Sequence, residues 1–187
     1  MKKILMIDNY DSFVYNIYQY VASMGVHVDI VENDKIDKMD NNYDGFIISP
    51  GPGSPKNKED SGKLLEFIDY NREGHFLGIC FGHQILGYYL GSDIKLSVRL
   101  MHGQIDYINH GDGKLYKNIP PRFEAIRYHS LVITENKNII VDAYSEKDKE
   151  IMGFHSKNGN IFGIQFHPES YYSKYGFEII KNFVGTL

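Results

Sequence analysis

Residues 78–84 read GICFGHQ, and Cys80 within them is the chain's only cysteine. A lone free cysteine is most often a small buried hydrophobe. The neighbours argue for another use. Cys80 follows an apolar run, Phe76 to Ile79, with the length of a buried strand, and precedes a helical pattern from about Gly82 to Leu90. A thiol at a strand-to-helix turn, framed as Gly78-x-Cys80-x-Gly82, is the cysteine form of a nucleophile elbow. Such a turn strains the backbone and crowds its flanks, which accounts for a glycine on either side. The sulfur would also stand at a helix N-terminus, where partial positive charge favours thiolate over thiol. A structural cysteine needs none of these features.

A thiolate that attacks a carbonyl carbon needs an acid–base partner and donors for the oxyanion. Of the eight histidines, His167 has the strongest context. It ends the apolar run IFGIQF, and Pro168 holds it extended and stops the strand. Glu169 is close enough to orient the imidazole, which completes a Cys80–His167–Glu169 triad. His102 and His129 sit at expected strand ends where they would line a site. His83 is assigned to packing or capping, and His27, His75, His110 and His155 have no supporting context. One oxyanion donor would be the backbone N–H of Phe81, just after the nucleophile. The second would come from SPGPGSP, residues 49–55, a loop by its prolines, where Gly51 and Gly53 allow close backbone approach. That loop lacks the GK[ST] ending of a phosphate loop. The HPE triplet resembles the H-x-E of zinc deaminases, but one cysteine cannot supply the P-C-x-x-C partner. HExxH is also absent, and no metal site is expected.

The elements that must position these groups alternate through the first half. Strands are expected at Ile4 to Ile7, Val26 to Val31, Phe46 to Ser49 and Phe76 to Ile79. A helix is expected after Asp11 and Ser12 as N-cap candidates, with Phe13, Ile17, Tyr20, Val21 and Met24 recurring at helical spacing and Gly25 ending the pattern. Further helices are expected at Ser61 to Arg72 and Gly82 to Leu90. The alternation implies an α/β fold with a mainly parallel central sheet flanked by helices. The second half reads as an additional antiparallel β region. It comprises a hairpin over Lys95 to Ile108, then strands at Phe123 to Tyr128, Ile139 to Tyr144, Ile151 to His155 and Ile161 to Phe166. A helix over Lys174 to Val184 follows. No repeat or linker divides the chain, so residues 1–187 are expected to form one domain.

Composition narrows the classes. With 42% hydrophobic and 24% charged residues the chain is globular, and a net charge of −4 gives no reason to expect nucleic acid. A single cysteine excludes an internal disulfide. The apolar run after Lys2-Lys3 stops at Asp8, too short for a signal peptide or a membrane span. A cytoplasmic protein without a membrane partner is expected.

SPGPG at 49–53, GICFGHQ at 78–84 and GIQFHPES at 163–170, in this order, resemble the class I or triad glutamine amidotransferases over nearly the whole chain. DNYDSFVYN at 8–16, MHG at 101–103 and YHSL at 128–131 narrow the resemblance to small subunits of chorismate-utilising synthases, which yield anthranilate or aminodeoxychorismate. The resemblance implies a flavodoxin-like sheet and a glutaminase that releases ammonia from L-glutamine through a thioester on Cys80. It implies acid–base work by His167 with Glu169, and oxyanion contacts from the backbone of Gly53 and Phe81. Glutamine would be held by Gly51, Pro52, Gly53, Gln84, Ser130 and Leu131. The chain itself would need no cofactor, with Mg2+ expected only on the chorismate-utilising partner subunit. Phe81 stands where the family usually has leucine, and Tyr171-Tyr172 where an aliphatic residue is usual. Two other readings use the same fold: a stand-alone hydrolase of γ-glutamyl amides, and a silent binding module. The intact triad argues against the second.

Overall fold

The computed structural model describes residues 1–36 and 42–187. Its organisation follows from the first strand, β1 (Lys3–Asp8), in which Ile4 to Ile7 are all buried. Alternate strand residues point to opposite faces, so burial of all four requires cover on both. Ile4 and Met6 share one core with Ile17 and Val21 of helix α1 (Val14–Ser23) and Ile180 and Phe183 of α5 (Gly176–Val184). Leu5 and Ile7 share the other with Leu64 and Ile68 of α3 (Leu64–Tyr70) and Ile85 and Leu86 of α4 (Phe81–Tyr89). Each fully buried aliphatic side chain contributes roughly 1.5–3 kcal/mol.

Among the described residues nine strands form one sheet in the order β2-β1-β3-β4-β9-β8-β7-β5-β6. The first five positions, with β2 (His27–Glu32), β3 (Gly45–Ile48), β4 (Phe76–Ile79) and β9 (Ile161–Ile164), pair in parallel. The rest, β8 (Ile151–Ser156), β7 (Ile139–Ser145), β5 (Ile94–His110) and β6 (Arg122–Ile133), pair antiparallel. The sheet curls back on itself. Ile126 of edge strand β6 bridges His167, just past β9, with the His167 N–H donating to the Ile126 carbonyl at 3.0 Å. The Ser173 hydroxyl ties this seam by accepting from the Ile126 N–H (3.2 Å) and donating to the His167 carbonyl (2.6 Å). Among the described residues no helix is long and apolar enough to cross a membrane.

Several expectations are corrected. The hairpin over Lys95 to Ile108 does not exist, because β5 is one long strand paired to β6. Gly103, at φ +66°, takes up a register shift as a bulge instead of reversing the chain. The expected helix from Ser61 to Arg72 is broken into α2 (Lys58–Ser61) and α3 by Gly62 at φ +53°. Neither Asp11 nor Ser12 caps α1. The flanking residue is Phe13, and the Asp11 carboxylate closes the preceding turn by accepting from the Phe13 N–H at 2.8 Å. The last helix starts at Gly176 rather than Lys174, and β6 runs on past Tyr128 to Ile133. The strand expected at Ile161 to Phe166 in the antiparallel region stops at Ile164 and pairs in parallel with β4 as well as antiparallel with β8. A 3-10 turn at Lys114–Tyr116 had no signal in the sequence.

Candidate active site

Cys80 lies between β4 and α4 at φ +52° and ψ −100°, a left-handed conformation that a residue with a Cβ rarely adopts. The glycine bracket has a steric cause. A Cβ on Gly78 would fall 2.2 Å from the Gly82 carbonyl oxygen, and one on Gly82 would fall 2.2 Å from the Ile48 carbonyl oxygen. The turn can therefore close only without side chains on its flanks. Cys80 is buried, its Sγ 3.5 Å from the Tyr128 carbonyl oxygen and 3.6 Å from Gln165 Nε2.

His167 and Glu169 are likewise buried, with imidazole Nδ1 2.6 Å from Glu169 Oε1. That contact puts the proton on Nδ1 and leaves Nε2 for the thiol and the reacting atoms; among the described residues Nε2 has no other partner. Phe13 and Tyr128 hold the ring edge-on from two sides, at centroid distances of 6.2 and 5.5 Å. Burial alone would lower the His167 pKa. The negative charges of Cys80 and Glu169 outweigh it and push it well above the ordinary imidazole value. A buried thiol beside an imidazole backed by a carboxylate is an arrangement suited to acyl transfer.

The loop after β3 sits beside this pair and is held by buried amides. Asn9 donates through Nδ2 to the Ser49 carbonyl (2.9 Å), and its backbone N–H donates to Ser49 Oγ (2.9 Å). Asn33 Nδ2 donates to Asn9 Oδ1 and to the Asp60 carbonyl, both at 3.0 Å. Asp60 in turn accepts from the Ser54 N–H at 2.9 Å. Gly53, at φ +92°, could not carry a Cβ without meeting that carboxylate at 2.2 Å.

A cavity of about 180 Å³ opens over Cys80. It is lined by Gly51, Pro52, Gly53, Gln84, Ser130 and Leu131, the six residues expected to hold the substrate, with Tyr128 and His129. Phe81 is not in that lining. Its ring is in the core, and its N–H lies in the first turn of α4, where a helix leaves its donors unpaired. A larger cavity of about 650 Å³ adjoins Cys80 and His167 and is walled by Tyr10, Phe13, Leu100, Met101 and His102.

The other histidines do not compete for the role of base. His83 is completely buried against Phe154, and burial takes its pKa down to about 3, as the packing assignment requires. His129 lines both cavities but is held neutral, its pKa also near 3 through burial and the adjacent Arg127 guanidinium. His102 reaches only the larger cavity, and His27, His75, His110 and His155 line neither.

A sequence profile described as glutamine amidotransferase class-I matches residues 5–187. The chain is a class-I glutamine amidotransferase. It is similar to the anthranilate synthase component 2 of Saccharolobus solfataricus, at 43% identity over 98% of both chains. It is also similar to that of Methanocaldococcus jannaschii, at 40% identity over 98% of this chain and 97% of the other. In fold it is similar to a glutamine amidotransferase of Thermotoga maritima, with TM-score 0.76 and 20% identity over 99% of this chain and 81% of that one.

The structure of this amidotransferase adds residues to the site that the sequence did not single out. Gln165 is fully buried and aims its amide at the thiol, and Asn9 and Asn33 brace the loop beside it. Their common signal is a polar side chain inside or just after an apolar run, where burial has to be compensated by hydrogen bonds.

Proposed function

We propose that this amidotransferase hydrolyses L-glutamine through Cys80, His167 and Glu169, and passes the ammonia to a chorismate-utilising subunit that makes anthranilate for tryptophan biosynthesis. The observation that carries the reading is the thiol turned at φ +52° beneath a cavity of about 180 Å³, with a carboxylate-backed imidazole beside it. The anthranilate synthase component 2 relatives support the choice of product and partner. A cytoplasmic setting fits a chain whose one cysteine works as a thiol.

The Cys80 thiolate attacks the side-chain amide carbon of glutamine, and the carbonyl oxygen becomes an oxyanion facing the N–H groups of Gly53 and Phe81. His167 Nε2 gives its proton to the departing nitrogen, so the C–N bond breaks, ammonia leaves, and a glutamyl thioester remains. His167 then takes a proton from water. The resulting hydroxide attacks the thioester carbon, and the C–S bond breaks to release glutamate and restore the thiolate. Glu169 holds the imidazole orientation and stabilises its charged form in both steps.

The larger cavity opens beside an exposed apolar row, Leu96, Val98 and Leu100, each more than 70% accessible. Exposed rows of this kind mark protein contacts, and we assign this one to the synthase subunit, which would then cover the ammonia exit.

The test uses the reconstituted complex with Cys80→Ala. Anthranilate formation from glutamine should fall by at least about a thousandfold, while formation from ammonium salt at alkaline pH stays near wild type. Equal loss with both nitrogen sources in an assembled complex refutes the assignment. A product other than anthranilate refutes the pathway part.

A further inference from the structure

Arg127 has no part in the steps above, yet it is the largest fully buried side chain in the described structure. Its guanidinium is enclosed by three carboxylates. Nη1 donates to Asp106 at 2.7 Å and to the two Asp148 oxygens at 3.0 and 3.2 Å, and Nη2 donates to Glu150 at 2.7 Å. Buried ion pairs roughly break even against well-packed apolar residues, so stability is a poor account of this cluster.

The fifth bond points elsewhere. Arg127 Nε donates to His129 Nε2 at 3.0 Å, which makes that nitrogen an acceptor and puts the ring proton on Nδ1. Nδ1 faces the Leu131 carbonyl at 3.1 Å. The same carbonyl accepts from Gln84 Nε2 at 2.9 Å. Gln84 Nε2 also reaches Gln165 Oε1 at 3.2 Å, and Gln165 Nε2 reaches the Cys80 sulfur at 3.6 Å. The chain of contacts is continuous from Arg127 to the thiol.

We propose that Arg127 is a positioning residue for glutamine hydrolysis: by locking His129 in one tautomer it holds the Leu131 carbonyl, and through Gln84 and Gln165 it sets the wall of the substrate cavity against Cys80. This rests on the glutaminase reading of that cavity. The groups facing His129 agree with a fixed neutral ring. Arg127 on its own strand and His83 on α4 oppose its protonation, and burial outweighs the opposite pull of Asp148. At its far end the relay is anchored under the exposed row. Glu150 accepts from the Val98 N–H at 2.7 Å and from the Ser97 hydroxyl at 2.8 Å.

The experiment follows alkylation of Cys80 by a glutamine-like chloroketone, the thiolate displacing chloride, read by intact mass. It yields a half-saturating concentration and a limiting rate. Arg127→Lys keeps the charge but loses the Nε donor. It should raise half-saturation about three- to tenfold, the loss of one net hydrogen bond, with the limiting rate within about twofold. His129→Asn keeps a donor for Leu131 and should raise half-saturation less than His129→Ala, which should match Arg127→Lys. In the His129→Asn background, Arg127→Lys should add nothing further. Unchanged half-saturation in folded Arg127→Lys, or an additive rise in that background, overturns the proposal. If Arg127→Lys does not fold, equal half-saturation for His129→Ala and His129→Asn overturns it instead. Wild-type labelling that glutamine fails to prevent would refute the glutaminase reading, a separate outcome.

Discussion

The His167 imidazole lies between opposed effects, burial that discourages its charge and two neighbouring negative groups that stabilise it, and the second wins. Its proton therefore persists above the ordinary pKa of about 6.5. The unfolded chain releases that proton near 6.5, so this contribution to stability is full below that pH and is lost as pH rises through the higher folded value. Glu169→Gln removes one of the two negative groups. The alkaline limb of the kcat/KM profile for glutamine should then move to lower pH, because the imidazolium deprotonates earlier. A limb that stays in place would show that Glu169 does not support the charge. The effect on rate should be smaller than for His167→Ala, which would remove the group proposed for both proton transfers and should cost about 10²–10⁴-fold.

At the scale of elements, the loop after β3 is shaped by residues from two other strand ends. Asn9 follows β1, Asn33 follows β2, and together they hold Ser49 and the Asp60 carbonyl. Asn33→Ala leaves Asn9 Oδ1 and the Asp60 carbonyl without that donor, a loss of about 1–3 kcal/mol for buried groups. Thermal unfolding should shift down accordingly. Because the loop carries Gly53, the proposed oxyanion donor, kcat for glutamine should fall more than KM rises, by about tenfold or more if that donor is displaced. A drop in stability with kcat unchanged would separate the network from the chemistry.

At the scale of the molecule, the curl of the sheet brings β6 back over the end of β4, so residues 128–131 form one wall of the cavity above Cys80. The same curl leaves Leu96, Val98 and Leu100 exposed beside the larger opening. Val98→Glu places a charge on a side chain that is 75% accessible. Its melting temperature should stay within about 2 °C of wild type. Affinity for the synthase subunit should drop at least about tenfold, since an unpaired charge would be buried in the contact. Titration of the complex by gel filtration or calorimetry measures it; undiminished affinity would move the docking surface elsewhere.

Periodicity and short-range spacing determined the parallel strands β1 to β4, each encoded by residues within one or two turns of each other, whereas β9, read with the antiparallel region, joins them only through its long-range pairing with β4. The elbow was legible for the same reason: Gly78, Cys80 and Gly82 lie within five residues, and their strain is local. His167 and Glu169 were legible because proline fixes the backbone between them. The antiparallel half was less so. Alternation over Lys95 to Ile108 fits a hairpin as well as one bulged strand, and only the pairing with β6 decides between them. The contacts that join the site are long-range as well, with Gln165 reaching Cys80 across 85 residues and Gln84 reaching Leu131 across 47. Arg127 gave no local sign of its role, because its three carboxylates stand on different strands and turns, 21 to 23 residues away. Pattern fixes which face of an element is buried; which buried polar group meets which partner depends on how the curled sheet closes.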